Sequence, residues 1–349
     1  MRKWFAAVTA AAFATVALAG APAIAQEKKV RAQMAGAFPS TMAILGEAEL
    51  RTIDYIKRLS NGTIDIKFFE PGALVPGSQY FDAIGNGSLD MAYTAAGYFT
   101  GKDIAFAMFT SVPFGPGASE YYGWFEHGGG NKLMQDLHLK YGIVARNCGL
   151  IPPESSGWFR KEINSVDDFK GLKMRFFGLG ANVMQKMGVA TQILQAGEIF
   201  QALQLGTIDA TEFSMPTMDL SLGFHQVAKY YYFPGWHQQT SIGQLYISKK
   251  KWDEFSPWQK DVVELGCKAQ MLDEVAQADA LQSAAMKELQ KKGVNIKTWS
   301  PEILKALEVK WAEVVKEESA KSPAFKEIYA SYEKFRADYA IWQQNGYLK

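Results

Sequence analysis

An eleven-residue segment that occurs twice constrains this chain more than any other feature. Phe81-Asp82-Ala83-Ile84-Gly85-Asn86-Gly87-Ser88-Leu89-Asp90-Met91 returns 119 residues later as Phe200-Gln201-Ala202-Leu203-Gln204-Leu205-Gly206-Thr207-Ile208-Asp209-Ala210. Each copy reads as the end of a helix, a glycine stop, and an apolar strand starting at Leu89 or Ile208. Gly87 and Gly206 supply the left-handed residue on which helices commonly end, where a Cβ would be strained. Helix ends can resemble one another by chance, but a domain-sized separation points to two lobes of one design.

The flanking segments repeat the same alternation. Val30–Met34 reads as a first strand, and Thr41–Leu59 carries Met42, Leu45, Leu50, Ile53 and Ile56 at helical spacing. Asn61-Gly62 turns the chain into a strand at Ile64–Phe69. In the second half, Val166–Gly171 leads to a strand at Leu172–Phe176, a helix at Ala181–Met187 and a strand at Ala190–Leu194. Helices alternating with strands imply an α/β architecture with mostly parallel sheets. Ser256-Pro257 then caps a long helix that runs to about Lys292, roughly 50 Å at the helical rise and long enough to touch both lobes. Pro301–Ser319 reads as another helix, and a last one starts at Ser322-Pro323 and ends near Gln344. Phe325, Ile328, Tyr332, Phe335, Tyr339 and Trp342 form its aromatic stripe, which suits packing on its own domain or a dimer contact.

Residues 1–25 read as a secretory signal peptide: basic Arg2 and Lys3, an apolar run from Trp4 to about Gly20, and the small-x-small pattern Ala23-Ile24-Ala25. The chain expected to remain begins at Gln26 and is too long for one ordinary core. Net charge is near zero, with 37 basic against 36 acidic side chains, so no basic surface argues for nucleic acid. Cys148 and Cys267 are the two cysteines; export permits a bridge between them, but nothing in the sequence fixes their distance.

No Gly-x-Ser-x-Gly elbow, Walker-type loop or His-Glu-x-x-His helix is present, and the four histidines have no sequence partner that would make a catalytic base. What remains is a binding constellation. Arg175 lies in the apolar strand segment Lys173-Met174-Arg175-Phe176, where its planar guanidinium suits a carboxylate or a structural ion pair. Glu212-Phe213 follow the second repeat copy, at the carboxyl end of its strand, which is where open α/β sheets place ligands. Tyr230-Tyr231-Tyr232-Phe233-Pro234-Gly235-Trp236 is unusually aromatic and precedes His237-Gln238-Gln239.

At these residues the chain resembles the DctP-type solute-binding subunits of TRAP transporters. The likeness is carried by Gly157-Trp158-Phe159-Arg160-Lys161-Glu162-Ile163, Gly171-Leu172-Lys173-Met174-Arg175, Gly197-Glu198-Ile199-Phe200-Gln201 and Gly206-Thr207-Ile208-Asp209-Ala210. Tyr231-Tyr232-Phe233-Pro234-Gly235-Trp236 resembles the branch that binds 2-oxo and 2-hydroxy monocarboxylates. The resemblance implies a periplasmic, two-lobe binding protein (type II-like) with hinge strands and a long lobe-spanning helix, which closes on its ligand and delivers it to a membrane permease. It places lobe I at 26–150 with about 243–285, lobe II at 151–242 with about 286–322, and a C-terminal helix, with its homodimer option, at 323–349.

It also implies a site. Arg175 falls on the arginine that pairs with the substrate carboxylate. Glu154, Glu212, the Phe213 carbonyl and Gln238 fall on positions that can hold a cation, sodium or calcium, bridging protein and ligand; no other cofactor is implied. That branch has Gln at position 154, Trp at 213 and Glu at 238, so the exchange at 154 and 238 keeps the total charge, while Phe213 and Ser214-Met215-Pro216 depart from it. Trp158, Phe213 and Trp236 are expected to wall the ligand's apolar part, with Phe38, Ser40 and Tyr98 closing from lobe I. An Arg fork would equally grip a sulfonate, a dicarboxylate or an aromatic acid. A ligand-sensing protein and an exported hydrolase are the rival classes.

Overall fold

The computed structural model describes residues 27–348; the expected signal peptide lies outside them. Eleven strands are found among the described residues: β1 (Val30–Gly36), β2 (Ile64–Phe69), β3 (Met91–Thr94), β4 (Ile143–Ile151), β5 (Gly157–Phe159), β6 (Lys173–Arg175), β7 (Ala190–Gln192), β8 (Ala210–Thr211), β9 (Tyr230–Phe233), β10 (Ser241–Ser248) and β11 (Asn295–Thr298). They form two sheets, ordered β2-β1-β3-β10-β4 and β11-β9-β5-β8-β6-β7.

The repeated segment explains the kinship of these sheets. Its copies end in β3 and β8. On one side of each lie two parallel strands, β1 and β2 or β6 and β7. On the other lie two successive antiparallel partners, β10 and β4 or β5 and β9. Gly87 and Gly206 have φ of 75° and 74°, the left-handed conformation that their place after a helix requires. The strands after them start two residues later than the sequence suggests, at Met91 and Ala210.

Two chain segments cross between the sheets, one joining β4 to β5 and one joining β9 to β10. They run side by side, with Glu154 N–H donating to the Gln238 carbonyl (3.1 Å) and Gly235 N–H to the Glu154 carbonyl (3.0 Å). The helix Pro257–Lys291 ties both halves together. Ser256 Oγ accepts from the Gln259 N–H while Gln259 Oε1 accepts from the Ser256 N–H, a reciprocal cap, and Pro257 occupies the first turn. Along its length Gln270 and Gln277 accept from Arg51 of the first half, and Gln282 Oε1 accepts from Thr217 N–H of the second. Cys148 of β4 and Cys267 of this helix are joined as a disulfide, Cα atoms 4.2 Å apart.

Two local expectations are corrected. The first helix is Leu45–Leu59, not Thr41–Leu59, because Met42 N–H closes a turn on the Pro39 carbonyl and Ile44 sits at φ 66°. Leu50 faces solvent despite its helical spacing. The last helix, Pro323–Gly346, buries Phe325, Ile328 and Tyr332 against its own chain, each worth about 1.5–3 kcal/mol of apolar transfer. Farther along, Ile341 and Trp342 are exposed.

Candidate functional site

The register of three short strands builds the charged heart of the molecule. Arg175 ends β6 and pairs with Thr211, the last residue of β8, so Glu212 emerges beside it at the carboxyl ends of two parallel strands. Both side chains are buried, at 1% and 0% exposure. Arg175 Nη1 donates to the Glu212 carbonyl (2.9 Å) and to Glu212 Oε1 (2.5 Å), and Nε donates to the Leu194 carbonyl (3.3 Å). Phe177 N–H also donates to Glu212 Oε1 (2.6 Å). A guanidinium has five N–H donors. Three are therefore engaged, Nη2 makes none of these bonds, and Arg175 lines a cavity with Tyr98, whose hydroxyl lies beside the guanidinium.

This corrects the expected symmetric fork. A carboxylate can take the two Nη2 hydrogens, but Nη1 already serves Glu212. Breaking such a pair by removing one partner leaves a buried charge, which typically costs 3–5 kcal/mol.

The crossing segments bring the second carboxylate. Glu154 Oε2 accepts from Gln238 Nε2 (2.7 Å) and its Oε1 accepts from Ser214 Oγ (3.0 Å). Burial, reinforced by the neighbouring Glu212 charge, pushes the Glu154 carboxyl well above the usual range. Gln238 Oε1, Glu212 Oε2 and both ring nitrogens of His237 are buried without a hydrogen-bond partner. One ligand atom each from Glu154, Glu212 and His237 lie within 4.8 Å of one another. Unpartnered oxygens converging around two carboxylates fit a cation, because hard cations take carboxylate and amide oxygens.

Beside this cluster lies a cavity between the two sheets, with room for the centres of water-sized spheres over about 50 Å³. One water needs ~10–15 Å³ on that scale, so a molecule of a few heavy atoms is accommodated. Phe38, Tyr98, Glu154, Arg175, Phe213 and Gln238 line it. Phe213 and Phe177 present ring faces toward the guanidinium, 5.5 and 6.0 Å from its carbon.

Three expected residues are elsewhere. Ser40 turns its hydroxyl and N–H to Glu70. Trp158 stacks on Tyr231 (4.0 Å) and donates Nε1–H to Asp219 (2.9 Å) inside the second core. Trp236 stacks on Phe114 and tilts against Phe176, so it braces the crossing segment from behind. Strand alternation turns Trp158 away from the cavity, and the turn after β9 carries Trp236 behind it. Conversely, Phe177, Ser214, Tyr93 and Glu274 line the cavity unforeseen. Phe177 stands two residues after Arg175, so strand alternation puts it on the same face. Nothing in the sequence distinguishes Glu274 from other acids of its helix; burial pushes its carboxyl up to about 8. Asp219, which anchors Trp158, Tyr231 and the Ser214 N–H, is pushed up by burial to about 7.

Two sheets joined by crossing segments and a long helix, with a buried arginine–carboxylate cluster beside an interlobe cavity, define a two-lobe solute-binding protein. Residues 39–322 match the family described as DctP, bacterial extracellular solute-binding protein family 7, and the chain belongs to it. A monocarboxylate 2-oxoacid-binding periplasmic protein from Nostoc sp. is 33% identical over 315 residues, covering 90% of this chain and 86% of that protein. A TRAP transporter solute-binding protein from Bordetella bronchiseptica, a dimer with calcium and picolinate in one site, superposes with a TM-score of 0.89 at 33% identity, covering 91% of this chain and 94% of the other. A TRAP periplasmic solute-binding protein from Pseudoalteromonas atlantica, with sodium and pyruvate bound, superposes with a TM-score of 0.86 at 31% identity, covering 91% and 97%. Among the described residues no helix is long and apolar enough to cross a membrane.

Proposed function

We propose that this chain is the periplasmic solute-binding subunit of a TRAP transporter that captures a small 2-oxo or 2-hydroxy monocarboxylate and does no chemistry on it. The observation that carries this reading is that Arg175, whose Nη2 makes none of its bonds to Glu212 or Leu194, lines a cavity sized for a few heavy atoms. The ligand's acid group takes the two Nη2 hydrogens, with the Tyr98 hydroxyl beside it. Phe38, Phe177 and Phe213 enclose the short carbon skeleton. Glu154, Glu212 and Gln238 hold a cation whose positive charge, when bound, draws in the ligand's second acid oxygen and its 2-oxo or 2-hydroxy oxygen. Two relatives with bound cations and small acids support that assignment.

We take lobe I as 26–150 with about 243–285 and lobe II as 151–242 with about 286–322, a division that the separation of the strands into two sheets supports. Closure of the lobes is driven only by the ligand's higher affinity for the closed state. A homodimer contact through exposed Ile341 and Trp342 is supported by the dimeric Bordetella relative.

Calorimetric titration with pyruvate, lactate, succinate, picolinate and a short alkylsulfonate, before and after chelator treatment, tests the assignment. Saturable binding of the 2-oxo or 2-hydroxy acids, weakened by chelator and without turnover of the ligand, is expected. Binding of the sulfonate alone, or conversion of the ligand, would refute it.

A further inference from the structure

We infer that His237 donates a ring nitrogen to the cation held by Glu154 and Glu212, so that the site prefers a divalent transition metal to sodium or calcium; this rests on the cation reading above. Four observations converge on the imidazole. It is 1% exposed, yet both Nδ1 and Nε2 lack a hydrogen-bond partner. Nε2 stands 3.6 Å from Glu212 Oε2, too far for a hydrogen bond, and that oxygen is itself unpartnered. A carboxylate oxygen of Glu154 completes a triangle of donors within 4.8 Å. The ring is held in place edge-on by Phe176 (4.9 Å between centroids) and by Trp236 (5.6 Å).

A buried histidine left with two unpartnered nitrogens is costly, since each unpaired polar atom forfeits its hydration. An ordinary structural histidine in this chain looks different: His138 is equally buried, but its nitrogens meet the Met134 carbonyl (2.7 Å) and the Tyr246 hydroxyl (2.8 Å). A metal at the centroid of the donor triangle would satisfy His237 Nε2 and Glu212 Oε2 together.

The donor set decides which metal. Sodium and calcium take oxygen ligands, whereas imidazole suits zinc, copper, nickel and iron. Charge disfavours sodium: once a bound cation draws the proton from the raised Glu154 carboxyl, Glu154, Glu212 and a bound carboxylate carry three negative charges against one positive charge on Arg175, and a divalent ion neutralises the remainder. Gln238, whose amide nitrogen bonds Glu154 Oε2, leaves its own Oε1 buried and unpartnered as a further neutral oxygen donor.

The experiment uses the full mature chain stripped with chelator and titrated separately with Co²⁺ and Ca²⁺, together with electron paramagnetic resonance of the Cu²⁺-loaded protein. Co²⁺ is expected to bind at least about tenfold more tightly than Ca²⁺. The copper spectrum is expected to show coupling to one nitrogen. His237→Gln should abolish that coupling and lower Co²⁺ affinity about tenfold or more while leaving Ca²⁺ affinity unchanged. His237→Leu repeats the test should the amide disturb folding, and a His127→Gln variant identifies any signal from that exposed histidine. Nitrogen coupling that survives at position 237 substitution, or vanishes with His127→Gln, overturns the inference while leaving the cation reading intact. Absence of binding by either metal overturns the cation reading itself.

Discussion

Arg175 Nη1 gives both of its hydrogens to Glu212, one to the main-chain carbonyl at 2.9 Å and one to Oε1 at 2.5 Å. The pair braces the second sheet internally, and its arginine lines the cavity. Arg175→Ala therefore leaves a buried, unpaired carboxylate and is expected to destabilise the fold by about 3–5 kcal/mol. Arg175→Lys keeps the charge but loses the planar array of donors. Loss of charged hydrogen bonds worth about 1.5–3 kcal/mol should weaken pyruvate binding roughly 10- to 150-fold with the fold retained. Calorimetry with a parallel thermal melt checks both numbers.

Trp158 lies behind the cavity, and its indole N–H holds Asp219. Trp158→Phe should cost about 1–3 kcal/mol of stability, because a buried carboxyl loses one donor. Ligand affinity should change less than about twofold, as only the carboxyl's support is altered. Denaturant melts and titration of the same preparation separate the two effects.

Ser40 is tied to Glu70 and not to the cavity. Ser40→Ala should leave affinity within about twofold of the parent, whereas Phe213→Ala should weaken binding of a small acid by removing apolar contact worth about 1.5–3 kcal/mol. A side-by-side titration of the two variants decides whether Phe213 or Ser40 meets the ligand.

Glu274 projects from the long helix toward β4, accepts the Leu150 N–H and has its carboxyl raised from 4.5 to about 8 by burial. The folded protein thus binds more protons than the unfolded chain between these values, and stability falls as pH rises through them. The contribution is fully present below about pH 4.5 and lost above about pH 8. Its total size is at most about 5 kcal/mol. Glu274→Gln should flatten this part of the profile, so the variant gains on the parent as pH is raised from 5 to 8. Urea melts across that range provide the measurement.

The disulfide between Cys148 and Cys267 spans 119 residues and fastens β4 to the helix that runs along both halves. Closing a loop of that length is worth about 4–5 kcal/mol in the chain-entropy account. Cys267→Ser should lower the melting temperature accordingly, and the parent should show the same fall when reduced.

Much of the architecture was legible locally. Repeat, caps and breakers are short-range signals: Ser256-Pro257 starts its helix and Gly206 stops another because each acts on backbone atoms a few residues away. Arg175, Glu212, Glu154 and Gln238 could be nominated for their chemistry and for the family motifs around them. The sequence by itself thus determined two lobes of one topology, the helix bridging them and the placing of an arginine and two carboxylates in the second half.

Only the tertiary structure decided which chemistry faces which space. In the second sheet the register sets Arg175 opposite Thr211, whereas the corresponding pair in the first sheet is Ala35 opposite Ala92, so the charge lies on one side of the cavity, which Phe38 and Tyr98 also line. The direction of Trp158, the engagement of Ser40 by Glu70, the arrival of Glu274 and the approach of His237 to Glu212 all depend on segments far apart in the chain. Hydrophobic periodicity constrains a side chain's face but not its partner across a cleft, and that partner fixes what the site can hold.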